Sequence, residues 1–197
     1  MTKVRQIGGV EPGPDVLWQL DAEKAIRRTI QLYCRAVDRR DWDLLRSVYH
    51  EDAFDDHGGY KGDVAGFITW VAERHERIAM SMHFVTNCLV DVIDASRGRA
   101  ETYCLAVQRS VTGANPWGSA EADSGCPDGA VFEMRALCRY LDRFERRSGI
   151  WGITHRVVAC DDSIVTQRPG EPVFPDGAVL SRRSSQDYLY TLLSPGA

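Results

Sequence analysis

The chain has 197 residues, 44% of them apolar and 26% charged, with a formal net charge of −4. That length builds one domain with a sizeable core, and the acidic balance, with "IRRT", "DRRD", "FERRSG" and "LSRRSS" scattered among acids, argues against the clustered basic surface of a nucleic-acid partner. No apolar run approaches the roughly 20 residues of a membrane span, and "MTKVRQIGGVEPGPD" lacks the apolar core of a signal peptide, so a cytoplasmic protein with no membrane partner is expected.

Residues 1–14 are rich in Gly and Pro and read as a flexible arm. A helix follows from about Asp15 or Asp21 to Arg39, with Ile26, Ile30, Tyr33 and Val37 recurring at helical spacing. Asp38 falls in its last turn, where an acid opposes the negative end of the helix dipole at a cost of about a few tenths of a kcal/mol. "DWDLLRSVYHEDA" reads as a second short helix, N-capped by Asp41, with Trp42, Leu45, Val48 and Tyr49 on one face. "AFDDHGGYKG" is a short extended piece and a turn. "DVAGFITWVAERHERI" is a third helix, buried through Val64, Phe67, Ile68 and Val71.

After Ala79 the period changes to alternation. "SMHFVTNCLVDVID" and "AETYCLAVQRSV" read as strands around "ASRGR", and "FEMRALCRYLDRFERR" and "GIWGITHRVVACDDSIV" as strands around "RRSGI". A long loop at residues 113–129 separates the two hairpins, and loops of that length are usually functional or disordered. The domain spans 15–165, and a Pro-rich extension with a short helix in "SSQDYLYTLL" occupies 166–197. Three helices followed by four long strands indicate an α+β fold, a curved antiparallel sheet wrapped around the helices as a cone with one pocket. The six cysteines (34, 88, 104, 126, 138, 160) form no CxxC pair and are expected to be reduced and structural.

Alternation on the first long strand puts His83 on one face with Val85, Asn87 and Leu89. Asp38 could reach His83 from the helix end, fix its tautomer and stabilise its imidazolium, making a base dyad. Arg156 shares a face with Gly152 and Thr154, opposite Trp151, Ile153 and His155; pointing inward, it would stabilise a departing anion. Tyr33 could donate a proton to a leaving group. Asp55, Asp56 and His57, with His50 or His83, raise a metal site, but the ligands do not visibly converge and no metal is expected. No nucleophile elbow, GxGxxG or phosphate loop is present. Trp42, Phe54, Phe67, Trp70, Phe84 and Tyr103 offer an aromatic lining for a hydrophobic small-molecule substrate.

The succession "IQLYCRAVDRRDWDLLRSVYHEDAFDDHGGYKG", "MHFVTNCLVDV", "RAETYCLAVQR" and "RYLDRFERRSGIWGITHRVVACDD" resembles the SnoaL-like branch of the nuclear transport factor 2-like superfamily, over about Asp21 to Ser163. The pattern is similar to that of the hexachlorocyclohexane dehydrochlorinases, scytalone dehydratase and bile-acid dehydratase. The resemblance implies the cone fold and cofactor-free chemistry by an Asp–His pair. It places that pair on Asp38 and His83, the dehydrochlorinase arginine on Arg156, and the bile-acid enzyme's pocket tyrosine on Tyr33. A further acid of the bile-acid enzyme falls near Ala106 and is missing. The long insertion and the tail depart from the minimal pattern.

The resemblance implies a lyase that eliminates water, halide or formaldehyde from a cyclic or aryl substrate, in a homo-oligomer (trimer or dimer). Two other readings stay open: a non-catalytic small β subunit of a ring-hydroxylating oxygenase, which shares the "RRDW" region and an "H…N" strand, and an isomerase or ligand-binding protein.

Overall fold

The computed structural model describes residues 15–111, 114, 129–168 and 172–194. The arm at 1–14 and nearly all of the 113–129 loop lie outside the described residues.

Helix α1 (Asp15–Arg39) buries Ile26, Ile30, Tyr33 and Val37. It closes in a Schellman motif: Asp41 N–H donates to Ala36 O at 2.9 Å and Arg40 N–H to Val37 O at 3.3 Å. Arg40 takes the left-handed conformation, at φ 57°. The Asp41 carboxylate then accepts from Leu44 N–H at 3.0 Å and starts α2 (Trp42–Ser47).

The second helix ends sooner than its apolar spacing suggests. Tyr49–Asp56 is strand β1, paired with β2 (Lys61–Asp63) and, in parallel, with the last strand of the sheet, which begins at Ile150. Its inward residues include Asp55, fully buried, so polar identities hide the alternation that marks a strand. Asp63 caps α3 (Val64–Glu76), its carboxylate accepting from Gly66 N–H at 2.8 Å, and Val64, Phe67, Ile68 and Val71 are buried as the sequence indicates.

Strands β3 (Ile78–Val92), β4 (Arg97–Ser110), β5 (Val131–Arg147) and β6 (Ile150–Arg168) form an antiparallel meander, and the six-stranded sheet runs β2-β1-β6-β5-β4-β3. The sheet curves around the helices without closing, the expected α+β cone. The β5–β6 turn at Ser148–Gly149 has positive φ at both residues, 49° and 84°, as a two-residue hairpin of matching twist requires.

Two bulges correct the parity read from sequence. A register shift between Val85 and Cys88 breaks the expected face of His83, Val85, Asn87 and Leu89. Ser81 is buried and His83 and Val85 are partly so, but beyond the bulge Cys88 and Val90 take the inner positions while Asn87 and Leu89 are exposed. On β6, Arg143 pairs with His155 and Phe144 with Ile153, which leaves Thr154 as the extra residue. Ile153 and Arg156 are therefore both fully buried, and His155 leaves the face it was expected to share with Ile153.

After β6 the chain returns to the end of α1. There Arg39 pairs with Asp187 at 3.4 Å, and Tyr190 donates its hydroxyl to Asp41 at 2.9 Å, beside α4 (Tyr188–Leu193). No described helix is long and apolar enough to cross a membrane.

Candidate active site

Asp38 reaches β3 from the last turn of α1. Its Oδ1 accepts from His83 Nδ1 at 2.7 Å and from the Ser81 hydroxyl at 2.7 Å, and its Oδ2 accepts from His83 backbone N–H at 2.9 Å. Side chain and main chain of one histidine thus grip both carboxylate oxygens. Burial pushes the Asp38 carboxyl up, but the His83 charge and the hydrogen bonds from His83 and Ser81 outweigh it and hold the group below its usual value. The same competition runs the other way in His83: burial disfavours its cation, yet Asp38 holds its pKa above the ordinary imidazole value. With Nδ1 engaged by Asp38, Nε2 is the nitrogen left for proton transfer.

The unfavourable dipole position of Asp38 is offset from the tail. Arg183 Nε donates to Asp38 O at 3.0 Å and one of its terminal nitrogens donates to Val37 O at 3.1 Å; the other bonds Ile78 O. A guanidinium on the last carbonyls of α1 satisfies acceptors that the helix leaves open and counters their partial negative charge. Ser81 is held in turn by Gln108 Nε2 at 3.3 Å, and the Gln108 carbonyl accepts from Arg74 at 2.7 Å. Buried His75, beside Gln108 and Arg183, has its pKa driven well down by burial and then by the Arg183 and Arg74 charges, which keeps it neutral.

A cavity opens beside this network. His83, Tyr33, His57, Trp70, Arg74, Gln108, Tyr140 and Cys138 line it, with apolar wall from Val37, Val71, Ala106, Met134 and Val158. Ala106, where a further acid was looked for and missed, is part of that apolar wall. Tyr33 donates to or accepts from His57 Nε2 at 3.0 Å, and burial raises its phenol pKa well above the ordinary value.

Arg156 is not among the lining residues. It is fully buried and makes a two-pronged pair with Asp142 at 2.7 and 2.7 Å. Its guanidinium lies 4.0 Å over the Tyr33 ring and 4.3 Å over the Tyr140 ring, so its charge reaches the cavity through those tyrosines.

The aromatic set divides. Trp70 lines the cavity, Phe67 stacks on His57 at 4.6 Å, and Trp42 meets His75 edge-on at 6.2 Å. Phe54 stacks on His155 at 5.1 Å, while Phe84 and Tyr103 are 44% and 46% exposed; of the six, Trp70 alone borders the cavity. Sequence reasoning did not find Ser81, Gln108, His75 or Arg183. Ser81 was within reach, two residues before His83 and so on the same strand face. His50, considered as a ligand, instead places Nε2 2.9 Å from Glu145 O. Among the described residues, no three His, Cys, Asp or Glu side chains converge as metal ligands would.

A family described as the SnoaL-like domain matches residues 18–157. No curated protein matches the chain significantly. Among solved structures, hexachlorocyclohexane dehydrochlorinase LinA-type3 from Novosphingobium barchaimii LL02 is 17% identical, with a TM-score of 0.62 over 81% of this chain and 99% of that one. A proposed scytalone dehydratase from Novosphingobium aromaticivorans DSM 12444 is 15% identical, with a TM-score of 0.60 over 83% and 98%. A proposed aromatic ring hydroxylase from the same species is 18% identical, with a TM-score of 0.59 over 76% and 94%. Identities at this level establish the shared fold.

Proposed function

This chain belongs to the SnoaL-like domain family, and from that premise we propose that it is a cofactor-independent lyase in which Asp38 and His83 form the base. The observation that carries the reading is the 2.7 Å contact of Asp38 Oδ1 with His83 Nδ1, on a histidine that lines the cavity. Neutral His83 accepts a proton from substrate carbon at Nε2, and ionised Asp38 stabilises the imidazolium that results. A general base so placed contributes about 10²–10⁴-fold. Tyr33, polarised by the Arg156 guanidinium above its ring, assists the leaving group.

The cavity volume is about 80 Å³, below the ~150 Å³ of an apolar cavity that holds one benzene ring. The reacting end of a larger hydrophobic substrate enters, and the remainder stays outside. The test is a mass-spectrometric screen of the purified protein against hydroxylated steroids, chlorinated rings and lignin-type aryl dimers. A product lighter by water, hydrogen chloride or formaldehyde supports a lyase and identifies the leaving group. A product of unchanged mass replaces this reading with an isomerase. An unchanged panel replaces it with a binding protein or a scaffold subunit.

A further inference from the structure

A second acid–imidazole pair meets the same cavity through its histidine, with the acid buried behind it, and the chemistry above does not use it. Asp55 on β1 is fully buried. One of its oxygens accepts the Tyr49 hydroxyl at 2.6 Å, and the other is in close contact with His57 Nδ1. His57 Nε2 lies 3.0 Å from the Tyr33 oxygen. The ring is fixed from every side: it stacks on Phe67 at 4.6 Å, sits 6.3 Å from the Trp70 ring, and its backbone N–H donates to Tyr60 O at 2.9 Å. A buried carboxylate needs a cation or strong donors around it. Arg156 gives two of its nitrogens to Asp142, and of the two side chains in contact with Asp55, Tyr49 and His57, the His57 ring is the one that can carry a positive charge. His57 and Tyr33 border the cavity together with His83.

We propose that Asp55, His57 and Tyr33 form a proton relay that protonates a leaving hydroxyl, so that the substrate is an alcohol carrying its hydroxyl β to the acidic C–H and the group lost is water. The proposal rests on His83 as the base. His83 Nε2 takes the proton from carbon, and that C–H electron pair becomes the new C=C bond. The C–O bond breaks with its electrons on oxygen, which takes the phenolic proton of Tyr33 and departs as water. The Nε2 proton of the His57 imidazolium moves onto the Tyr33 oxygen. His83 ends the step protonated and His57 neutral, and one proton returned through solvent resets both. A halide leaves as a stable anion and has no use for such a relay. Asp55 and Tyr49 hold the ring in place, and His57 acts through Tyr33 as a positioning and relay residue.

The test follows two probes in D2O by NMR with the wild type, His57→Gln and Tyr33→Phe. 4-Phenylbutan-2-one reports proton removal alone, as deuterium entering beside the carbonyl, and 4-hydroxy-4-phenylbutan-2-one reports loss of water. His57→Gln is expected to lose dehydration at least about 10-fold more than it loses exchange. Equal loss of both, or dehydration at the wild-type rate, overturns the relay. If the wild type acts on neither probe, His83 is judged on the substrate that the mass-spectrometric screen identifies, and nitrogen-15 NMR of the histidine rings decides the relay. A His57 protonated on both nitrogens at neutral pH, with an Nε2 resonance that moves in Tyr33→Phe, supports it. A neutral ring or an unmoved resonance overturns it.

Discussion

Replacing Asp38 by Asn keeps the shape of the side chain and removes its charge. The carboxylate accepts three hydrogen bonds, from His83 Nδ1, Ser81 Oγ and His83 N. An amide offers one oxygen. If that oxygen stays with the ring and Ser81, the amide N–H₂ faces the His83 backbone N–H, donor against donor. If it flips, the amide donates to Nδ1 and forces the proton onto Nε2, which can then accept none. Either way one buried donor, the His83 backbone N–H or the Ser81 hydroxyl, loses its acceptor at about 1–3 kcal/mol, a fall in Tm of roughly 2–12 °C for a chain of this size.

The lowered Asp38 pKa contributes stability that is present above about pH 3.9 and fades as pH falls through the lowered value; the raised His83 pKa contributes stability that is present below about pH 6.5 and fades as pH rises through the raised one. The Tm difference between Asp38→Asn and wild type is therefore greatest between about pH 4 and 6. The base works as neutral imidazole, so wild-type turnover climbs with pH through a value above about 6.5. In Asp38→Asn the burial of His83 is no longer opposed, so the climb moves to lower pH while the plateau falls by about 10²-fold. Melting curves and pH–rate profiles read both effects. A variant with the wild-type profile and the wild-type melting curve would refute the reasoning.

Arg183→Met removes the donors on the Val37, Asp38 and Ile78 carbonyls; we expect a loss of about 1.5–3 kcal/mol, a Tm lower by roughly 3–12 °C, and a larger effect on kcat than on KM because Asp38 is loosened. A Tm within about 1 °C of wild type would remove the tail from the account. Asp142→Ala leaves the fully buried Arg156 unpaired and should cost about 3–5 kcal/mol in urea unfolding, while the double variant Asp142→Leu with Arg156→Met recovers much of that loss. A double variant less stable than Asp142→Ala would contradict the charge-burial argument.

Local periodicity made the helices legible, since Ile26, Ile30, Tyr33 and Val37 mark the buried side of α1 and Val64 to Val71 that of α3. The Asp41 cap and the β5–β6 turn were readable for the same reason: their chemistry lies within a few residues. Parity on β3 held from Ser81 to Val85 and failed at the bulge, because an extra residue shifts facing without changing composition. The same device at Thr154 decided where Arg156 points. The second half of β1, from Ala53 to Asp56, was read as extended, but its first half was assigned to the second helix because Val48 and Tyr49 fall at helical spacing. The docking of Arg183 on Val37 and Asp38 joins segments about 145 residues apart, which no local pattern encodes.

The most direct measurement is the steady-state rate of His83→Gln against wild type on whichever substrate the screen identifies, with circular dichroism confirming that both are folded. A fall in kcat of about 10²–10⁴-fold in a folded variant is the predicted result. A folded His83→Gln that turns over at the wild-type rate would show that proton removal occurs elsewhere, and the Asp38–His83 base would be wrong.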